Sequence, residues 1–347
     1  MIPASSDAAQ PDAAMASAPA DWRQQFRQAF TDPLQLLQSL GLAHLAPQLS
    51  GDCSAFPMRV PRVFAARMRH GDPNDPLLRQ VLPLNDEDEF SAGYRLDPVG
   101  DHSARTAKGV LQKYAGRALL IASGSCAVNC RYCFRRHYPY SEDIAAAAGW
   151  RSAVQQIAAD TSISEVILSG GDPLALSTAK LAELSNALGD IPHVRRLRIH
   201  TRLPVVLPAR IDNALRHWLQ SLPQRVVVVI HANHAQEIDP SVGVACARLR
   251  DAGASLLNQA VLLRGVNDHI DALCDLSERV FDIGVLPYYL HQLDRVAGAT
   301  HYAVSDSNAL QLHAELRSRL PGYLVPRLVR EIEGKASKTP LSEGQFT

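Results

Sequence analysis

From residue 117 onward the chain alternates between two patterns. Short apolar runs occur at 117–122 (RALLIA), 165–169 (EVILS), 195–201 (RRLRIHT), 225–231 (RVVVVIH), 255–263 (SLLNQAVLL) and 285–291 (VLPYYLH). Their length and their content of Val, Ile and Leu read as strands buried in a sheet. Amphipathic stretches such as LAELSNAL, IDNALRHWL and VACARLRDAG separate several of them and read as helices. After the first interval the runs start about 30 residues apart, the length of a strand, a helix and two loops. Six such units predict an α/β fold with a mainly parallel sheet, helices outside, curled into a full or partial barrel. A further run, YLVPRLVREI at 323–332, is placed to extend one edge.

The part before the barrel is less regular. Residues 1–20 are rich in Ala, Ser, Pro and Asp and read as a disordered tail. From Trp22 to Leu49 apolar residues recur at helical spacing, as in Phe26, Phe30, Leu34 and Leu37, and Asp32-Pro33 is the signature of a new helix start. Residues 50–115 are mixed, with turn chemistry at DPNDP (Asp72 to Pro76). The expected organisation is a tail (1–20), a helical and irregular region packing on the barrel (21–115), the barrel (116–322) and a C-terminal segment (323–347).

Charge narrows the function. With 35 basic and 35 acidic residues, nothing favours a nucleic acid or a membrane surface as partner. No apolar stretch reaches the roughly 20 residues of a membrane helix, and the first 22 residues lack the pattern of a secretory signal. A cytoplasmic protein is expected.

The six cysteines sharpen the picture. Cys126, Cys130 and Cys133 fall within eight residues, whereas Cys53, Cys246 and Cys274 stand alone and are expected to be small buried apolar residues. Clustered thiols in a reducing compartment point to metal. Zinc would want a fourth ligand, for which His137 is near enough in sequence. A four-iron cluster held by three thiolates keeps one iron open for a substrate. The loaded segments follow apolar runs: CAVNCRYC after RALLIA, GGDP after EVILS, HANH at the end of RVVVVI and HQLD after VLPYYL. Loops at the C-terminal ends of parallel strands meet on one face, so these segments converge.

Cys126-x3-Cys130-x2-Cys133 after a first barrel strand, with Tyr132 between the last two cysteines, resembles the radical S-adenosylmethionine superfamily. That resemblance implies a partial (β/α)6 barrel of that type with an N-terminal helical extension. It also implies a [4Fe–4S] cluster on the three cysteines and S-adenosyl-L-methionine on its open iron. Ser169, Gly170, Gly171 and Asp172 match the superfamily segment that holds the methionine amino group.

Further segments narrow the family: Lys113-Tyr114-x2-Arg117, CRYCFRRHY, HTRLPVVLPARI (200–211), LNQAVLLRGVND (257–268), YYLHQLD (288–294), DPNDPLLRQVLP (72–83) and Lys338-Thr339-Pro340. Together they resemble lysine 2,3-aminomutase. The resemblance implies an isomerase that converts L-α-lysine to (R)-β-lysine and adds pyridoxal 5′-phosphate as a cofactor. Lys338 stands at the position of the cofactor's Schiff-base lysine, with Lys335 a nearby competitor. Tyr114 and Arg117 match positions beside that cofactor. Arg135 matches the ligand of the substrate carboxylate, with charge compensation of the cluster as its other reading, and Arg136 next to it. Asp294 and Glu331 match the carboxylates that hold the substrate ε-ammonium; alternation along 288–294 would put Tyr288, Leu290, Gln292 and Asp294 on one face. His231, Asn258 and Gln259 match positions near the adenosyl group. The short C-terminus and the EGKAS run resemble the bacterial branch that supplies β-lysine, through a ligase, to translation elongation factor P. Rival readings are a radical enzyme without pyridoxal phosphate, a non-catalytic cluster or zinc protein, and an aminomutase for another amino acid. The sequence leaves the oligomeric state open.

Overall fold

The computed structural model describes residues 21–51, 54–89, 91–145 and 150–342. The expected tail and Cys53 lie outside these residues. Among them, ten strands form one open sheet in sequence order. The strands are β1 (Arg105–Ala107), β2 (Val110–Leu111), β3 (Arg117–Ser123), β4 (Glu165–Gly170) and β5 (Arg196–Thr201). They continue with β6 (Arg225–His231), β7 (Ser255–Leu262), β8 (Leu286–Gln292), β9 (Arg327–Arg330) and β10 (Thr339–Pro340). All six apolar runs become strands, and β3 through β9 pair in parallel. The 323–332 run does extend the edge, as a seventh parallel strand. Antiparallel β1–β2 and β10 finish the two edges. The result is a partial barrel.

Helices Arg151–Ala159, Thr178–Gly189, Asn213–Ser221, Pro240–Asp251, Ile270–Asp282 and Asp306–Arg319 make the crossovers. Several start on side-chain caps: Ser177 accepts from Lys180 N, Asp212 from Leu215 N, Asp239 from Val242 N and Ser305 from Asn308 N. Such caps satisfy amide groups that have no partner in the first turn.

The two faces of the sheet differ. Leu197 and Ile199 of β5, Val226, Val228 and Ile230 of β6, and Leu256, Ala260 and Leu262 of β7 are buried in the main apolar core. The intervening positions, among them Arg196, Arg198, His200, His231 and Gln259, are only partly buried and line the interior of the curved sheet. On β8 the alternation slips. Asn258 of β7 pairs with Pro287 and Gln259 pairs with Tyr289, so Tyr288 is an extra residue, a β-bulge. Tyr288 and Tyr289 stack side by side with ring centroids 3.8 Å apart. Beyond the bulge, Leu290 joins the outer core and Gln292 donates to Val304 O at 2.6 Å. The single face expected for Tyr288, Leu290, Gln292 and Asp294 is therefore broken: His291, not Gln292, points inward with Tyr289.

The region before the barrel divides as its punctuation suggests. Helix Trp22–Arg27 stops, and Asp32 caps helix Pro33–Ser39 by accepting from Leu34 N at 2.9 Å. This region docks by ion pairs. Arg67 meets Asp239 at 2.6 Å and donates to the carbonyls of Val205 and Glu237. Glu87 receives Arg131 on both oxygens, at 2.7 and 2.6 Å, and Arg136 at 2.6 Å. Both arginines also stack near Phe56.

Replacing Glu87 by Ala strands two buried guanidinium groups. Breaking a buried pair in this way costs about 3–5 kcal/mol. Urea unfolding of the purified Glu87→Ala chain should show a clearly lower midpoint than wild type; an unchanged midpoint would show that water reaches these arginines.

Candidate active site

The three cysteines sit on the irregular loop after β3, at the C-terminal end of the parallel strands. This loop is seated by backbone. Gly171 N donates to Ser123 O at 2.6 Å, and Asp172 N donates to Ser125 O at 2.8 Å. A Cβ on Gly171 would lie 2.7 Å from Ser125 O, and one on Gly170, at φ +115°, would lie 2.5 Å from Ser123 O. Only glycine permits that approach. The close neighbour of the two glycines is thus the loop leading into Cys126.

Burial pushes the Cys126 thiol well up and the Cys133 thiol up to about 11. Among the described residues, no three or more His, Cys, Asp or Glu side chains are grouped to hold one metal ion. His137 is exposed, with its Nε2 3.1 Å from Ala297 O. Cys246 is buried in helix Pro240–Asp251, and Cys274 is partly buried against the same core.

The second group lies along the inner face. Lys338, on the short return into β10, donates to Glu331 Oε2 at 2.7 Å, and Tyr114 Oη donates to Glu331 Oε1 at 2.6 Å. Lys338 Nζ also lies 5.9 Å from the Tyr289 ring centroid, and the Arg117 guanidinium lies 5.1 Å from that of Tyr114. Lys335 is exposed in the preceding turn. Burial alone would raise Glu331, but the Lys338 charge and the two hydrogen bonds hold it below the usual carboxylate range. Asp294 is the opposite case. Burial pushes it up to about 7; Lys338 opposes the shift and Glu331 adds to it. Asp294 and Glu331 share a cavity of about 280 Å³ with Arg95, Arg295 and Arg330.

Arg135 is buried. Its Nε donates to Asp101 Oδ2 at 2.6 Å and its Nη1 to Ser169 Oγ at 3.0 Å. Asp101 also pairs with Lys113 at 2.7 Å. Burial would raise Asp101, yet Arg135 and Lys113 lower it to about 2. At the start of the strands, a cavity of about 410 Å³ is lined by Arg117, Arg196, Arg198, Glu165 and Tyr288. Glu165 takes up Arg196 and Arg198. Arg117 has no ion-pair partner among the described residues.

Three imidazoles complete the interior. His200, His231 and His291 each keep a buried Nε2 without a hydrogen-bond partner. Burial holds all three below the usual histidine value, His231 at about 3, so they are neutral. A lumen with three unpaired polar atoms fits a polar cofactor, because buried polar groups otherwise find partners.

Two expected positions are used differently. Asn258 faces the helices: its side chain accepts from Ala232 N at 3.0 Å and donates to Ala232 O at 3.1 Å. Strand alternation puts Asn258 and Gln259 on opposite faces, and only Gln259 faces the lumen beside His231. Asp172 is consumed by protein groups, accepting from Thr201 Oγ1 and the amides of Leu174, Arg202 and Leu203.

No protein-family profile matches the chain. An L-lysine 2,3-aminomutase of Escherichia coli K12 is 48% identical over 323 residues, 92% of this chain and 94% of that protein. One from Haemophilus influenzae is 44% identical, covering 93% and 96%. The chain belongs to the L-lysine 2,3-aminomutase family. A longer aminomutase of that name, from Clostridium subterminale, is 33% identical, with 92% of this chain matching 77% of it. A likeness to a radical SAM methyltransferase structure from Sphaerobacter thermophilus has a TM-score of 0.44 at 18% identity, covering 64% of this chain and 68% of that one.

Three residues near these groups were not singled out by residue order: Asp101 lies in a DPVGDH turn, and His200 and His291 lie in the 200–211 and 288–294 segments without a role of their own. Only the lumen reveals them.

Asp294 carries a stability prediction. Its folded value, about 7, lies above that of an unfolded aspartate, 3.8, so the folded state holds more protons between them. Stability falls as pH rises through this window, and the cost is complete above it. Asp294→Asn removes the cost. The ligand-free variant should melt higher than wild type at pH 8, with the gap closing toward pH 4; a gap independent of pH would contradict the shift.

Proposed function

We propose that this chain is an L-lysine 2,3-aminomutase, an isomerase converting L-α-lysine to (R)-β-lysine. The observation that carries the reading is the meeting of Lys338, Glu331 and Asp294 at one site. Glu331 already receives an alkylammonium of lysine's own length, that of Lys338 at 2.7 Å. Two carboxylates beside such a group select a cationic side chain over a neutral or acidic one, and burial strengthens that choice.

Cys126, Cys130 and Cys133 would hold a [4Fe–4S] cluster, with S-adenosyl-L-methionine bound between it and the lumen near Ser169, Gly170, His231 and Gln259. When bound, the cluster and S-adenosylmethionine supply a carbon radical that opens a C–H bond, and pyridoxal phosphate supplies a conjugated ring that spreads the unpaired electron. Lys338 and Tyr114 would hold the pyridoxal phosphate, and Arg117, unpaired beside a cavity with two further arginines, suits its phosphate. Arg135, fixed by Asp101 and Ser169, would meet the substrate carboxylate. The neutral histidines offer hydrogen bonds to cofactor atoms without adding charge to the lumen. The walls, formed by packed strands, exclude water from reactive intermediates. A place in the short bacterial branch, with β-lysine passing to elongation factor P through its ligase, is part of the same proposal and rests on the resemblance of the EGKAS run.

The test is anaerobic incubation with lysine, S-adenosylmethionine, pyridoxal phosphate and dithionite, followed by product analysis. β-Lysine is expected, and its absence from protein containing iron would overturn the reading. In the same assay Asp294→Asn should lower kcat/KM for lysine by about ten- to a hundredfold, the loss of a charge-assisted hydrogen bond of about 1.5–3 kcal/mol.

Borohydride reduction of the protein with pyridoxal phosphate should place the pyridoxyl label on Lys338. A label on Lys335 would contradict the geometry, in which Lys338 meets Glu331 and Lys335 is exposed.

A further inference from the structure

Arg202 stands just past the end of β5, and the proposed reaction leaves it without a role. Its side chain is buried. Nη1 donates to Cys130 Sγ at 2.7 Å and to Tyr132 Oη at 3.0 Å. Nη2 donates to Gln80 Oε1 at 2.7 Å and to Glu237 Oε2 at 2.9 Å. Its position is over-determined. Glu237 is fully buried and also receives Gln80 Nε2 at 3.0 Å and Asn233 N at 2.9 Å. Asn233 Nδ2 in turn donates to Tyr132 Oη and to Gln80 Oε1. The guanidinium face lies 5.5 Å from the Phe64 ring centroid. Every neighbour restricts the rotation of Arg202, and the group that they aim is an N–H at a cysteine sulfur.

A plain structural reading would have Arg202 only pin the loop. Pinning does not need it. The same loop is fastened by Glu87 to Arg131 and Arg136, and by the Gly171 and Asp172 amides to Ser123 and Ser125. What Arg202 adds is a charged donor on one of the three cluster thiols.

We infer that Arg202 tunes the reduction potential of the cluster through its hydrogen bond to Cys130, with Glu237 setting how much positive charge reaches the sulfur. The inference rests on the assignment of the three cysteines to a [4Fe–4S] cluster. Reduction adds one electron from an external low-potential one-electron donor; no bond is made or broken, and the cluster becomes one charge more negative. Hydrogen bonds to cluster sulfurs favour the more negative state and raise the potential. Arg202 is a positioning and tuning residue that acts through Cys130.

The readout is the midpoint potential of the anaerobic, iron-loaded protein, followed by electron paramagnetic resonance during a reductive titration without lysine. Arg202→Gln should keep its iron and shift the potential downward. A tenfold lower ratio of reduced to oxidised cluster at fixed potential is a shift of about 59 mV for one electron. Glu237→Gln removes the counter-charge and should shift the potential upward, a reversal that loosening of the loop does not produce. Arg202→Lys, which keeps the charge, should lie between wild type and Arg202→Gln. An unchanged potential in Arg202→Gln with full iron content overturns the inference, as does loss of iron from all three variants, which would make Arg202 a structural pin. Absence of iron and signal from wild type would instead overturn the cluster assignment itself.

Discussion

The cysteine loop is held by buried ion pairs because it has little secondary structure to hold itself. Residues 124–145 are mainly turns, yet three thiols must keep a fixed array. Two acidic residues from another part of the chain supply the constraint. Glu87 grips Arg131 and Arg136, and Asp101 grips Arg135. Each pair is buried, where losing one partner is costly. Both acids lie in the region before the barrel. That region is thus part of the active-site architecture, since without it three arginines near the thiols would be left unpaired.

The same logic is inverted at the other end of the site. Glu331 is satisfied by Lys338 and Tyr114, whereas Asp294 is partly buried without a hydrogen bond to its side chain among the described residues. Its raised pKa records that cost. A carboxylate held in this way is a poor contributor to stability and a good receptor for a cation. Likewise, the three histidines with unpaired Nε2 atoms and the unpaired Arg117 guanidinium lie along the lumen where ligands would complete them. The three imidazole nitrogens are thus unpartnered atoms that face one shared space, whereas others, such as Trp22 Nε1 and Gln224 Oε1, lie singly elsewhere in the molecule.

Much of this was legible in residue order. The six apolar runs located the strands to within a residue or two, because a strand buried on its outer face must be apolar at alternate positions whatever lies within. The cysteine triad was legible because its three thiols are adjacent in the chain and depend on no distant partner for their spacing. Asp32-Pro33 marked a helix start because caps are local chemistry. Lys338, Tyr114, Arg117 and Glu331 were named from resemblance, and the structure draws them together although Tyr114 and Glu331 are separated by 217 positions.

What residue order could not decide was direction and partnership. A single bulge at Tyr288 exchanged the faces of β8, turning His291 inward and Gln292 outward, and an inserted residue of that kind leaves no mark in an apolar run. Asn258 and Gln259, neighbours in sequence, separated onto opposite faces because successive strand side chains must. Asp172 looked like a ligand and became a cap for its own loop. Arg202 and Glu237 were unremarkable until the fold brought Gln80 and Cys130 against them. The sequence by itself determined the elements and the kind of chemistry, since both follow from local pattern. Only the tertiary structure decided which polar groups are used up within the protein and which remain for a ligand, because satisfaction of a buried group depends on neighbours that the chain brings from far away.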